Sequence, residues 1–221
     1  MSTTGQAHKV LLVELNELTW TIIDRLADEG RLPTFARLKR DAVWAAPASV
    51  DLPPHLDPWI TWVTVHTGVD ATVHGATVLE QDVTTIHAKR SWEHVLAAGK
   101  SVGLFGSIGA YPPKPVAGFV VPGPFAPGDE TWPPYLEPVQ RLNRRYTQVH
   151  DGNARSGGAL DMGKLGLELL GLGLEPETAL RIALQLAREK VDPHARWRRV
   201  ALQPYVNYDI FEKLYRKFRP D

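Results

Sequence analysis

The apolar run at residues 9–13 (KVLLV) stops abruptly at the polar cluster Glu14, Asn16 and Glu17. A short continuous apolar run bounded in this way predicts a strand buried on both faces, as in a parallel sheet. A helix follows at once, because apolar residues recur at Trp20, Ile22, Ile23, Leu26 and Ala27 with helical spacing and Gly30 marks the stop. Strand, polar turn and helix make the first half of a βαβ unit, so the opening of the chain already points to an α/β fold.

Further along, Pro33 predicts the start of a second helix that buries Phe35, Ala36 and Leu38 and turns Lys39, Arg40 and Asp41 to solvent. Residues 42–46 fit another strand. The proline-marked stretch 47–58 reads as a loop into a helix containing Trp59, Trp62, Val63 and Val65, with its stop near Gly68. Trp92, Val95 and Leu96 form another helical face closed by Gly99, and residues 101–105 (SVGLF) and 118–121 (GFVV) are two more runs of the buried-strand type. A loop rich in proline and glycine then runs to about Pro134, and loops of that length tend to be functional or mobile. From Pro138 onward the pattern is helical, although the glycines at residues 163–175 disfavour a rigid isolated helix there. The expected organisation is an α/β part over 1–135 and a mainly helical segment of the same domain over 136–221.

Composition narrows the function classes. The 221 residues carry 25 basic and 25 acidic side chains, which excludes the basic footprint of a nucleic-acid binder. There is no cysteine, so disulfides, thiolate metal sites and a cysteine nucleophile are excluded, and any metal must sit on oxygen and imidazole ligands. Residues 1–9 lack a signal-peptide pattern and no apolar run approaches the ~20 residues that span a bilayer, so the expectation is a cytoplasmic chain with no membrane span. The eight histidines contain no HxH or HxxxH pair and read mostly as surface or loop residues, while Trp20, Trp44, Trp59 and Trp62 read as core or pocket wall.

Two spaced phrases carry a family resemblance. Residues 9–38 (KVLLVELNELTWTIIDRLADEGRLPTFARL) combine a strand, a helix and Gly30-Arg31-Leu32-Pro33-Thr34; the second phrase is Trp62-Val63-Thr64-Val65-His66-Thr67-Gly68 followed by His74-Gly75. In this order they resemble the type I phosphodiesterase and nucleotide-pyrophosphatase-like members of the alkaline phosphatase superfamily, over roughly the first third of the chain. The resemblance implies an alkaline-phosphatase-like parallel-sheet core flanked by helices, with the mainly helical part following. It also implies a divalent metal (zinc, magnesium or manganese) and hydrolysis or transfer of phosphate, less readily sulfate, esters. The substrate would be a phosphate-ester small molecule or a glycan- or lipid-linked one. The phrase Tyr215-Arg216-Lys217-Phe218-Arg219-Pro220-Asp221 resembles one that in relatives leads to later metal ligands, so a further half of the fold is expected to supply them.

Departures from the family pattern fall on the chemistry. The family's first metal-binding aspartate falls on Asn16, its following glycine on Glu17, a usually small residue on Glu14, and its nucleophile on Pro58. The resemblance therefore assigns Glu14, Asn16 and Glu17 to a metal, Asp57 and Thr61 beside Pro58 to catalysis, and His55 and Trp59 to substrate. Physical chemistry allows this: two ions about 4 Å apart need such oxygen donors, and the C-terminal edge of a parallel sheet is where open α/β folds bind ligands. Glu14 and Asn16 alternate along an extended strand end and so face one side, with Glu17 starting the turn. The same residues also suit helix capping, and Asp57 before Pro58 is a common helix start. Two functional expectations stand side by side. One is a metal-dependent phosphate-ester hydrolase or transferase, favoured by the acidic cluster; the other is a catalytically inactive member serving as a binding or assembly module, favoured by Asn16 and Pro58.

Overall fold

A computed structural model describes residues 9–53, 56–79, 81–150 and 159–221. Helix α1 (Trp20–Asp28) starts at Thr19, whose hydroxyl accepts the Thr21 N–H, and it gives way to Gly30 at φ 72°. Helix α2 (Pro33–Asp41) opens on proline, where a missing N–H costs nothing. It buries less than its pattern predicts: Phe35 and Ala36 are half-buried and Leu38 is exposed, while Lys39 reaches back to Asp24 at 2.6 Å. Helix α3 (Pro58–Thr67) is capped by Asp57 and ended by Gly68 at φ 73°, and the short helix α4 (Ala71–His74) follows.

A 3₁₀ turn (Val83–Thr85) and helix α5 (Ser91–Ala97) lead into strand β1 (Val102–Ser107). Strand β2 (Gly118–Pro122) lies parallel to β1, with Val102 opposite Gly118 and Phe105 opposite Val121. The two strands coincide with the SVGLF and GFVV runs. The connection over 108–117 contains no helix, so this crossover is shorter than an ordinary βαβ link. The chain is thus an α/β structure with a small parallel sheet and a large share of helix.

The remaining elements are a 3₁₀ turn (Pro134–Leu136), α6 (Glu137–His150), α7 (Ala159–Leu172), α8 (Pro176–Val191), a 3₁₀ helix (Pro193–Ala201) and α9 (Leu202–Phe218). Helix α7 forms despite Gly163, Gly166 and Gly171, because Leu165 and Leu169 are buried in the core and tertiary packing outweighs a weak helix propensity. That core joins Phe119 and Val121 of β2 to Leu136, Val139 and Leu142, to Leu165 and Leu169, and to Val206, Ile210 and Leu214 of α9. The loop after β2 is held in place: Trp132 and Val120 exchange two backbone hydrogen bonds, Gln140 donates to Gly123 O at 2.9 Å, and Thr147 donates to Pro124 O at 3.0 Å.

Two expected strands are not strands. Residues 9–13 and 42–46 pair with no strand among the described residues, and Val10 is 80% exposed. Alternation and β-branching favour an extended chain, but a ladder needs a neighbouring strand to satisfy its N–H and C=O groups. Residue 9 is nevertheless anchored, because the Lys9 ammonium donates to the carbonyls of Arg219 (2.7 Å) and Pro220 (3.0 Å), and Asp221 accepts the Ser101 N–H at 2.9 Å just before β1. Among the described residues no helix is long and apolar enough to cross a membrane.

Gly118 opens β2 at φ 136°, and a Cβ added there would lie 1.9 Å from the carbonyl oxygen of Val102. Both the dihedral and the contact forbid a side chain. Gly118→Ala is expected to destabilise the chain by at least ~3 kcal/mol in urea unfolding, since either the backbone or the parallel pairing must give; a loss under ~1 kcal/mol would show that the pairing is not held there.

Candidate functional site

Helix α3 gathers the predicted site residues. Its residues Trp62 and His66 are one turn apart on one face, and the segment after residue 13 lies against that face. The Trp62 indole N–H donates to Asn16 Oδ1 at 3.0 Å, and His66 Nε2 lies 2.9 Å from Glu14 Oε1. Glu14 and Asn16 therefore do face one side, as their alternation predicts. Because a carboxylate only accepts, His66 donates through Nε2, which leaves its buried Nδ1 without a partner. The ring is enclosed by Trp62, stacked at 6.0 Å, and by the edge contact of Trp92 at 4.9 Å.

Glu17 turns the chain at φ 56°, one of two non-glycine residues at positive φ among those described. This is the position where the resemblance expects glycine, so the backbone there has the conformation of a glycine turn while carrying a glutamate. At the other end of α3, Asp57 accepts the Trp59 N–H at 2.9 Å and Pro58 is the first helical residue. The capping role of Asp57 is thus realised. Thr61 is half-buried in the first full turn, its N–H bonded to Asp57 O at 2.8 Å. His55 lies outside the described residues.

Trp59 meets Phe125 edge-on at 4.6 Å and lines a cavity of about 490 Å³ together with Ala76, Val78, Ile108, Tyr111 and Pro112. Gln81, Asp82 and Thr84 supply its polar side, and among the described residues no lysine or arginine lines it. The other tryptophans differ from their predicted role. Trp20 and Trp44 are neither core nor pocket wall: they are exposed and hold the Lys39 ammonium between their rings at 5.4 and 5.3 Å.

A second cluster, which sequence reasoning missed, lies behind α3. Asp51 is 3% exposed and His74 0%, and Thr64 joins them. The Ala76 N–H donates to His74 Nδ1 (3.0 Å), so the imidazole proton is on Nε2 and faces Thr64 Oγ1 at 2.9 Å; that hydroxyl in turn donates to Asp51 Oδ2 at 2.5 Å. The second Asp51 oxygen accepts the Ala71 N–H at 3.0 Å. The residue types are those of a nucleophile triad, but the proton order is reversed: the histidine gives to the hydroxyl and the hydroxyl gives to the carboxylate, so no base faces Thr64. The network is a buried brace between the 51 loop, α3 and α4. It agrees with a structural role for His74; of the described histidines His66 and His74 are buried, whereas His87, His94 and His194 are exposed. The only sequence signal was the His74-Gly75 phrase; nothing near Asp51 marked it.

The resemblance implies a divalent metal at Glu14, Asn16 and Glu17. The amide oxygen of Asn16 is taken by Trp62, one Glu14 oxygen faces His66, and among the described residues no three histidine, aspartate or glutamate side chains converge to hold an ion. These residues by themselves do not fit a two-metal centre. Comparison with family models, with curated proteins and with solved structures finds no match for this chain.

Two outcomes follow from this geometry. Burial holds the His74 imidazole below its ordinary range, with Asp51 and Asp70 pulling the other way. The unfolded chain therefore takes up this proton first as pH falls below about 6.5, and stability drops from there toward the lower folded-state value. Urea unfolding between pH 7.5 and pH 5 is expected to show a steeper loss for the native chain than for His74→Gln; parallel curves would remove His74 from the pH response. At Glu17, replacement by glycine is expected to raise stability by up to ~1 kcal/mol and by valine to lower it by a similar amount, since the left-handed backbone penalises side chains. Thermal melts of the two variants check the order.

Proposed function

We propose that this chain is a non-catalytic binding module that keeps the N-terminal layout of an alkaline-phosphatase-like α/β protein. One observation carries the reading: the side chain at the family's metal-aspartate position, Asn16, accepts the Trp62 indole N–H at 3.0 Å. An amide locked to an indole serves the packing of the strand end on α3. Pro58 adds to this, because the nucleophile position is the first residue of α3 and offers no hydroxyl or thiol. Loss of one member of a cooperating catalytic set commonly costs orders of magnitude, and here two positions have changed together.

The ligand belongs in the cavity beside Trp59. A cavity of about 490 Å³ falls in the range of small-molecule pockets. Its wall is aromatic and aliphatic, and among the described residues Asp82 is its one charged lining residue and a phosphate would meet no cation. This favours a neutral or cationic small molecule with an apolar body. The hydrolase reading rests on the acidic residues Glu14 and Glu17, and it would need Glu14 to leave His66.

Assay of the purified chain with p-nitrophenyl phosphate and bis-p-nitrophenyl phosphate, with zinc, magnesium or manganese, is expected to give no turnover above buffer. Metal-dependent turnover that Glu14→Ala, Glu17→Ala removes would overturn the binding reading and establish the hydrolase one.

A further inference from the structure

A second cavity, independent of α3 and its ligand, opens within the helical half. It measures about 1000 Å³ and lies between α6, α7, α8, the 193–201 helix and α9. Its wall is dominated by leucine, isoleucine and valine side chains, and among the described residues its charged lining is Arg145, Arg196 and Arg199, with no carboxylate. Arg199 is committed to Glu189, which is itself buried. Neither of the other two makes a direct ion pair among the described residues: Arg145 makes a 3.3 Å contact with the Met162 sulfur, and Arg196 acts on Glu189 only at longer range, beside the Arg199 pair.

Helix α7 leaves the space open. Gly163 and Gly166 line the cavity, and a Cβ added at either would meet nothing within 4 Å, so neither glycine is there to let another element approach. Trp197 and Val200 stand at the wall 70% and 68% exposed. An apolar space of this size beside two guanidinium groups that make no direct bond to a carboxylate among the described residues is complementary to one kind of molecule: a long aliphatic chain ending in an anion. We propose that this cavity binds a single-chain amphiphile with an anionic head, its chain among Leu165, Leu169 and Ile182 and its head at Arg145 and Arg196. Burying each methylene strengthens such binding by roughly three- to fourfold.

Calorimetric titration of the full chain with dodecanoate and with dodecyl phosphate, each below its micelle-forming concentration, tests this. The expected result is saturation at one molecule per chain for at least one of the two, with octanoate at least fiftyfold weaker and dodecanol weaker than the anions. Which head group binds tighter separates carboxylate from phosphate recognition. Gly166→Leu, which puts a side chain into the space, is expected to weaken binding tenfold or more with the melting temperature kept. Gly163→Leu serves the same purpose should the first variant fail to fold. The double variant Arg145→Gln, Arg196→Gln is expected to erase the preference for the anions over dodecanol. Titrations that do not saturate, binding unchanged by filling the cavity, or binding seen only with anionic vesicles and not with monomeric amphiphile would each overturn the proposal.

Discussion

The burial of strand β2 is the interaction on which the rest of the molecule depends. Phe119 and Val121 are fully buried, and β2 has β1 along one edge and Trp132 bonded to Val120 along the other. Helices α6 and α9 pack onto the same strand, so residues from the middle and the end of the chain meet there. Gly118 and Gly103 make this possible at close range: the one approaches the Val102 carbonyl, and the other leaves room for the Phe119 ring, which would lie 2.6 Å from an added Cβ. With the strand pair held, the loop that follows is fixed by Gln140, Arg144 and Thr147 of α6; its Pro127 lines the Trp59 cavity and its Phe125 packs against the Trp59 ring.

Helix α3 is the second organiser, because the acidic and amide groups after residue 13 find their partners on it. One face receives Glu14 and Asn16 through His66 and Trp62, while another receives Asp51 and His74 through Thr64. Buried polar groups must be paired, and Asp51, His66 and His74 find their partners on or beside this helix. The same economy shows at Asp57, whose carboxylate caps the helix it might otherwise have served as a catalytic group.

Much of the local structure was legible in advance. Asp57 and Pro33 mark helix starts, Gly30, Gly68 and Gly99 lie just past helix ends at positive φ, and both runs SVGLF and GFVV are strands. These signals depend on the backbone conformation of a few neighbouring residues, which is why they survive without knowledge of the fold. The site was legible only in part. Alternation placed Glu14 and Asn16 on one side, yet nothing local could name their partners, which lie 52 and 46 residues away. Residues 9–13 show the limit most plainly: an apolar extended run becomes a strand only if another strand lies beside it.

By itself, then, the sequence determined where several helices begin and stop, that the runs SVGLF and GFVV suit strands, and that no thiol chemistry is available. Tertiary structure alone decided that Asp51, Thr64 and His74 form a buried brace, that Asn16 answers to an indole, and that two glycines of α7 face an open cavity. The physical reason is the range of the forces: caps, turns and periodicity act over one or two turns of chain, whereas desolvation and hydrogen-bond pairing depend on which distant segments the packed core brings into contact.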